Sequence, residues 1–221
     1  MRPFARAAGA ALVLMGLVAA GSSAGCYVPH FLVWLFKPDK ITKSVKEEYH
    51  LEADRLVIVP YVGTDILFTY PAAPIEVSGE LVNAIARDLK GRVKTIIHPV
   101  EVVRWQESTL EWPTMSLERI AEEFQADTLL YVELGRYTMV EERSANLFRG
   151  RAKARIEVVK VGAEHNPVYD AVVEVIFPED QPVGVLETSE RVIRQGTNIL
   201  LARDILRKFH DHKIEVRGGQ P

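Results

Sequence analysis

The run Arg55-Leu56-Val57-Ile58-Val59-Pro60-Tyr61-Val62 decides the fold of this chain. It is short, rich in β-branched residues and almost continuously apolar, which is typical of a strand buried on both faces of a sheet. Downstream, the pattern predicts an amphipathic helix over 76–90, a strand over 93–97, a further helix opened by Ser116 and a strand over 128–140. This alternation requires crossover connections and therefore helices packed on a sheet.

The second half of the chain has a different periodicity. Between Leu147 and Val161, the even positions from Phe148 to Val158 are small or apolar and most odd positions carry charge, a period of two that indicates a half-exposed strand. Val168 to Phe177 repeats this alternation, and short polar turns join the segments, as in an antiparallel meander. A closing helix is predicted over 188–210, with an apolar stripe formed by Val192, Ile199, Ala202, Leu206 and Phe209.

Together these elements predict an α/β fold with a mixed sheet of about five strands: strand-helix-strand-helix-strand, then the meander and a C-terminal helix. The 221 residues, 48% of them hydrophobic, suffice for one sizeable core. With 27 Lys plus Arg against 30 Asp plus Glu, the chain lacks the dense basic charge of nucleic-acid-coating proteins. Its single cysteine excludes an internal disulfide framework and a Cys-rich zinc site. We therefore expect no nucleic acid partner, no metal and no cofactor.

The amino terminus has the three-part layout of a secretory signal peptide, which assigns residues 1–25 to that segment. Arg2 and Arg6 precede an apolar stretch of about 14 residues, and small residues follow it. The stretch is shorter than the roughly 20 residues that a membrane-spanning helix needs. Cleavage is therefore favoured over retention as a membrane anchor.

The presumed cleavage region is Ser23-Ala24-Gly25-Cys26, which contains the only cysteine of the chain. It resembles a bacterial lipobox, although Ser23 stands where leucine is usual. The resemblance implies lipid attachment at Cys26 and cleavage just before it; a chance cysteine in an ordinary cleavage region is the alternative. Because Tyr27 is not acidic, the resemblance implies an outer-membrane lipoprotein facing the periplasm, with the inner membrane as second choice.

The predicted organisation has three parts after the signal peptide. Residues 26–54 are assigned as lipid anchor and linker, 55–214 as the α/β globular domain and 215–221 as a disordered tail. Within the anchor segment, Tyr27 to Phe36 is strongly apolar but too short to span a bilayer. Packing of this stretch against lipid and packing against the domain both stay open.

The lipobox, the strand Val57-Ile58-Val59-Pro60, the helix Leu117 to Phe124 and the strand from Ala126-Asp127 to Val132 resemble a known envelope group. These are the bacterial lipoproteins with a TolB amino-terminal-like domain, a group that includes CsgG and LpoB. The resemblance covers roughly residues 55 to 210 and implies long antiparallel strands followed by a terminal helix. It also implies a binding, scaffolding or secretion component and not a catalyst.

Strand alternation places four basic residues on one face of the predicted strand 147–161, at intervals of about 7 Å. This basic stripe consists of Arg149, Arg151, Lys153 and Arg155. It could meet anionic headgroups, a glycan that carries carboxylates, or an acidic partner surface. The alternative is a solvated face whose charges pair with Glu133, Glu141 and Glu142 of the preceding strand.

Aromatic residues give two further candidate contact sites. Trp105 and Trp112 could form a shelf for sugar or peptide, or could cover an edge of the core. The loop from Gly63 to Pro74 is predicted as an exposed contact loop that presents Phe68 and Tyr70. His210 and His212 have a poor spacing for metal binding and are expected at a solvated helix end.

No enzyme signature motif occurs in the chain, so no catalytic residue is proposed. The favoured hypothesis is a membrane-anchored periplasmic lipoprotein that acts as a non-catalytic binding or assembly factor. Its partners would be membrane lipid, through Cys26, and an envelope protein; a homo-oligomer stays open. An oligomeric CsgG-like secretion pore is less favoured because no insertion supplies membrane hairpins. An envelope hydrolase would require a cleft with perturbed carboxylates.

Overall fold

The computed structural model describes residues 41–216. The chain forms β1 (Ile41–Val45) and then β2 (Ala53–Val62), an inner strand of a mixed six-stranded sheet. β2 is parallel to both of its neighbours, β3 (Val93–Ile96) and β4 (Thr128–Val140). The remaining strands are antiparallel to their neighbours: β5 (Leu147–Lys160) on β4, then β6 (Tyr169–Phe177) and the short β7 (Val183–Gly184), both on β5.

Five helices are described: α1 (Thr64–Thr69), α2 (Ala73–Asp88), α3 (Pro99–Ser108), α4 (Leu117–Glu123) and α5 (Glu190–Leu206). As predicted, Ser116 caps α4, its hydroxyl accepting a hydrogen bond from the Arg119 N–H. β8 (His212–Val216) follows α5 and pairs with β1 in a separate two-stranded sheet. The predicted α/β class, with a parallel crossover half, an antiparallel meander and a C-terminal helix, is confirmed.

Hydrophobic clusters cover both faces of the sheet. On one face Leu56 and Ile58 belong to the larger cluster, to which α2 and α5 contribute. On the other face Val57 and Val59 belong to a smaller cluster formed with α3 and α4. The approach of α5 is close, because a Cβ at Gly150 would overlap the side chain of Thr197. Burial on both faces explains why the sequence of β2 is an almost continuous apolar run.

The predicted apolar stripe of the closing helix is wrong at two positions. Val192 and Ile199 are 53% and 46% exposed, whereas Ile193 is buried. The buried face instead passes through two polar residues, Thr197 and Asn198, whose side chains are hydrogen-bonded inside the domain. The helix also ends at Leu206 instead of His210.

The predicted linker through Asp54 needs correction, because folded residues begin earlier. One compact unit extends from Ser44 to His212. Leu51 is fully buried in the larger cluster and Tyr49 packs against it. At the other terminus, residues 215 and 216 belong to β8 and not to a disordered tail. The signal peptide, Cys26 and the apolar stretch Tyr27 to Phe36 lie outside the described residues.

Arg92 holds the start of this unit against its end. Its guanidinium donates to a Glu47 carboxylate oxygen at 2.9 Å, to the Leu51 carbonyl at 3.2 Å and to the Phe209 carbonyl at 2.9 Å. The carbonyl of Lys208 accepts from the backbone N–H groups of residues 48 and 49. The chain therefore enters and leaves the unit at the amino ends of the parallel strands, which we call the entry end.

The opposite end of the sheet, which we call the distal end, lies beyond the carboxyl ends of β2 and β4. β2 has ten residues, so at about 3.3 Å per residue it spans roughly 33 Å. Loops that follow the carboxyl end of β2 are therefore separated from the entry end by the length of the sheet.

We expect Leu51→Ala to lower the free energy of unfolding by about 2–5 kcal/mol, because it removes a fully buried side chain and leaves a cavity. Denaturant unfolding of the purified domain measures this change. The exposed neighbour Glu52 supplies the control, and Glu52→Ala should change stability by no more than about 0.5 kcal/mol. Equal small effects of both substitutions would show that residue 51 behaves as linker.

Candidate functional site

A crevice opens at the distal end, where β4 extends past the end of β2. The last paired residues are Val62 and Leu134, after which the chain forms α1 on one side while β4 continues on the other. Because the crossovers from β2 and β3 cover opposite faces of the sheet, this is the topological position at which open α/β sheets bind ligands. The cavity has a volume of about 400 Å³ and is lined by Asp65, Ile66, Thr69, Tyr70, Gly135, Arg136, Tyr137, Thr138 and Val140.

The segment predicted as a contact loop contains helix α1, and its two aromatic residues have opposite environments. Phe68 is 91% exposed, in agreement with the predicted contact role, which itself stays a prediction. Tyr70 is 8% exposed, so its assignment as a surface contact is wrong. Its ring packs edge-on against Tyr137 with centroids 5.2 Å apart, and its hydroxyl accepts from the Met139 N–H. Burial raises the pKa of Tyr70, so the hydroxyl stays protonated.

Helix α1 and two loops at the distal end present strongly exposed apolar side chains. Phe68 follows β2; Leu110 is two residues from Trp112, which packs on Tyr61 near the end of β2. Leu186 follows β7, which pairs with the start of β5 beside the last residues of β4. Their exposed fractions of 91%, 86% and 99% are the three largest among the exposed large apolar residues described. We call Phe68, Leu110 and Leu186 the distal apolar surface.

Two members of this surface, Leu110 and Leu186, were not predicted as contact residues. Leu110 is a single leucine within a polar stretch, and Leu186 ends the short run Val183-Gly184-Val185-Leu186, so neither belongs to a segment long enough to show periodicity. A large apolar residue in a loop without helical or strand periodicity is the one feature that could have indicated them.

The two predicted shelf tryptophans cover the smaller core cluster. Trp105 packs edge-on against Phe124, with centroids 5.2 Å apart, and Trp112 packs in the same manner against Tyr61 at 5.7 Å. Both are half-buried. This arrangement is the core-edge alternative, and the structure does not bring the two indoles together as a stacked pair.

The basic stripe does lie on one face of β5, but most of its charge is paired. Arg151 donates to Glu141 at 2.6 Å, and a nitrogen of Arg149 lies 3.7 Å from the other oxygen of that carboxylate. Arg149 also donates to the Glu179 carbonyl at 2.7 Å. The two arginine side chains are only 20% and 12% exposed. The Arg151 hydrogen bond holds the pKa of Glu141 below its usual range.

The outer half of the stripe is more exposed. Arg155 donates to Asp170 at 3.0 and 3.1 Å and lies 2.9 Å from Glu157. Lys153 is exposed and forms no salt bridge with any residue from 41 to 216. Glu141 was among the predicted partners, whereas Asp170 on β6 was not. Paired charges leave this face with little of the net positive field that attracts anionic partners.

The histidines near the C-terminus have local partners. His210 and His212 have ring centroids 5.9 Å apart, and each ring nitrogen Nδ1 contacts a nearby backbone carbonyl. Both follow the end of α5, so their predicted place on a helix end is corrected to the turn and the start of β8. Residues 41–216 contain no group of three or more His, Cys, Asp or Glu side chains arranged to hold a metal ion. Within the same range, none of the helices combines the length and hydropathy required to cross a bilayer.

No protein-family model matches the chain, and no curated protein is similar to it at a significant level. Among solved structures, a PelC dodecamer from Paraburkholderia phytofirmans is similar at 11% identity with a TM-score of 0.42, covering 77% of this chain and 98% of that one. Lipoprotein GNA1162 from Neisseria meningitidis is also similar at 11% identity with a TM-score of 0.42, covering 68% of this chain and 96% of that one. Hypothetical protein CT253 from Chlamydia trachomatis is similar at 14% identity with a TM-score of 0.40, covering 71% of this chain and 92% of that one.

These similarities are too distant to support a statement about the role of this chain, and the resemblance to TolB-like lipoproteins stays a prediction.

We expect Glu141→Gln to destabilise the domain at pH 7, because Arg149 and Arg151 lose the carboxylate that they share. A carboxylate with a lowered folded-state pKa stabilises the fold above its unfolded pKa, and that contribution is lost as the pH falls through the folded value. The stability difference between the two proteins should therefore shrink below about pH 4.3, the ordinary value for Glu. Urea unfolding across pH 3 to 7, about the range over which Glu titrates, measures it.

The matched control is Glu174→Gln on the exposed face of β6, where the carboxylate forms no salt bridge within the described residues. It should leave the pH profile unchanged. A difference for Glu141→Gln that is constant with pH would contradict the role given to this carboxylate.

Proposed function

We propose that this protein is a periplasmic lipoprotein, anchored in the outer membrane through Cys26, that acts as a non-catalytic binding or assembly factor for an envelope protein. The observation that carries the binding role is the strong exposure of three apolar side chains, Phe68, Leu110 and Leu186, on segments at the distal end of the sheet. Isolated exposed apolar residues are common, whereas contiguous exposed apolar patches are typical of interaction sites, and the proposal is that these three side chains belong to one such patch.

The chain enters the folded unit at the end opposite the proposed contact surface. The chain enters at Ser44 and is bound near Arg92 at the entry end, 18 positions after Cys26. The distal apolar surface lies beyond the carboxyl end of β2, roughly 33 Å away along the strand. A tether at the entry end would leave the distal loops free to meet a partner located away from the membrane.

Acylation supplies the proposed attachment without a transmembrane segment. Each buried methylene contributes about 0.8 kcal/mol, so one chain gives marginal binding and two or three give durable anchoring. The non-catalytic role rests on the absence of enzyme signature motifs from the sequence. The crevice beside α1 belongs to the same end and would accept a side chain of the partner.

Cys26→Ser should move the protein from the membrane pellet to the soluble periplasmic fraction, because serine cannot form the thioether to diacylglycerol. Fractionation of cells that produce each form, followed by mass spectrometry of the mature amino terminus, measures this. Ser23→Leu, which restores the usual lipobox residue, is the matched control and should stay in the pellet. Retention of the Cys26→Ser protein in the membrane fraction, after a high-salt wash, would refute the anchor.

A photo-crosslinking amino acid at position 68, 110 or 186 should capture the same envelope protein in intact cells, because all three positions belong to one proposed surface. Position 172 is the control, since Val172 is 55% exposed but lies on the outer face of β6. Denaturing gels and mass spectrometry identify the product. Different products from the three positions, or the same product from position 172, would contradict a shared distal contact surface.

A further inference from the structure

A second cavity lies between helices α2 and α5, on the face of the sheet that they cover together. The helices run side by side in the same direction, since Glu76 contacts Arg194 near their starts and Asp88 approaches His210 beyond their ends. The cavity has a volume of about 210 Å³ and is lined by Glu76, Glu80, Arg191, Arg194, Gln195 and Asn198. Every lining residue is charged or a carboxamide, although packed helices usually meet through apolar side chains.

The inner wall of this cleft is held by a continuous hydrogen-bonded chain. The buried Tyr137 hydroxyl donates to the Asn198 carbonyl oxygen at 2.7 Å, which directs the Asn198 amide nitrogen toward Glu76 at 3.4 Å. Glu76 is bound by Arg194 at 3.0 Å, and Arg194 also contacts Glu190 at 3.2 Å. Burial raises the pKa of Tyr137, so the hydroxyl remains a donor at neutral pH. These groups are therefore oriented before any ligand arrives.

The outer wall carries two opposite charges that do not engage each other. Glu80 and Arg191 line the same cavity, yet neither forms a salt bridge with the other or with any residue from 41 to 216. The nearest cation to Glu80 along α2 is Arg87, which is occupied by two hydrogen bonds of 2.8 Å to Asp88. A carboxylate and a guanidinium thus face one opening with their hydrogen-bonding capacity directed to solvent.

We propose that this cleft binds a small zwitterion, a free amino acid or a short peptide with free ends, whose ammonium group contacts Glu80 and whose carboxylate contacts Arg191. A guanidinium binds a carboxylate through paired hydrogen bonds, and charge-assisted bonds of this kind are about twice as strong as neutral ones. Asn198, which the Tyr137 hydroxyl orients, and the exposed Gln195 supply further polar contacts. The volume admits a small molecule. This inference is independent of the proposed membrane anchor and the distal apolar surface.

Calorimetric titration of the purified domain with alanine and with dialanine tests the proposal. At least one of them should bind at one site with saturation. Propionate lacks the amine of alanine and ethylamine lacks its carboxylate, so each should bind at least about tenfold more weakly than the zwitterion. The two zwitterions distinguish a free amino acid from a peptide with free ends.

Glu80→Gln and Arg191→Gln should each weaken binding of the zwitterion about tenfold or more, because each removes one charged contact. The matched controls are Glu101→Gln and Arg104→Gln on α3, which are exposed residues on the opposite face of the sheet and should leave affinity unchanged. In the unsubstituted domain, the side-chain amide resonances of Gln195 and Asn198 should shift on titration, which gives a readout that does not depend on any variant.

Three results would overturn the proposal. They are the absence of saturable binding by either zwitterion, equal affinity for the singly charged analogues, and unchanged affinity in both cleft variants.

Discussion

Burial of β2 on both of its faces is the constraint on which the rest of the structure depends. All residues from Leu56 to Pro60 are buried, so neither face of the strand can be left to water. Crossovers to parallel strands on either side supply the cover, with α2 on one face and α3 and α4 on the other. Because these crossovers diverge at the carboxyl end of β2, the same constraint creates the crevice at the distal end.

Periodicity predicted the strands and most helices because their burial follows the repeat of the backbone. The alternation from Leu147 to Val161 is the clearest case, since its even positions from Gly150 to Val158 are all buried. Prediction of α5 was wrong where burial does not follow hydropathy: Thr197 and Asn198 are buried, and Val192 is exposed. Such polar burial depends on partners from other elements, such as Tyr137, and local sequence does not reveal them.

The candidate site was predictable only in part, for the same reason. Phe68 was expected at a surface and is exposed, but Tyr70, two residues later, is buried. Its ring packs against Tyr137 of β4 and its hydroxyl accepts from the Met139 N–H, contacts with a strand that is distant in sequence. The basic stripe was correctly assigned to one face of β5, since that follows from alternation alone. Its pairing with Glu141 and Asp170 depends on strand register, which the sequence pattern does not specify at single-residue accuracy.

The domain contains two polar networks in places where apolar packing would stabilise the fold more, one around Arg92 and one between α2 and α5. Buried polar groups stabilise a fold less than well-packed apolar ones and are costly when any partner is missing. At the entry end, Arg92 binds three partners that join the two termini of the unit, which gives its burial a structural reason. The hydrogen-bonded series of side chains from Tyr137 through Asn198 and Glu76 to Arg194 joins elements that already pack together through the apolar core. Its polarity is therefore better explained by the cleft that it lines than by the packing of the helices.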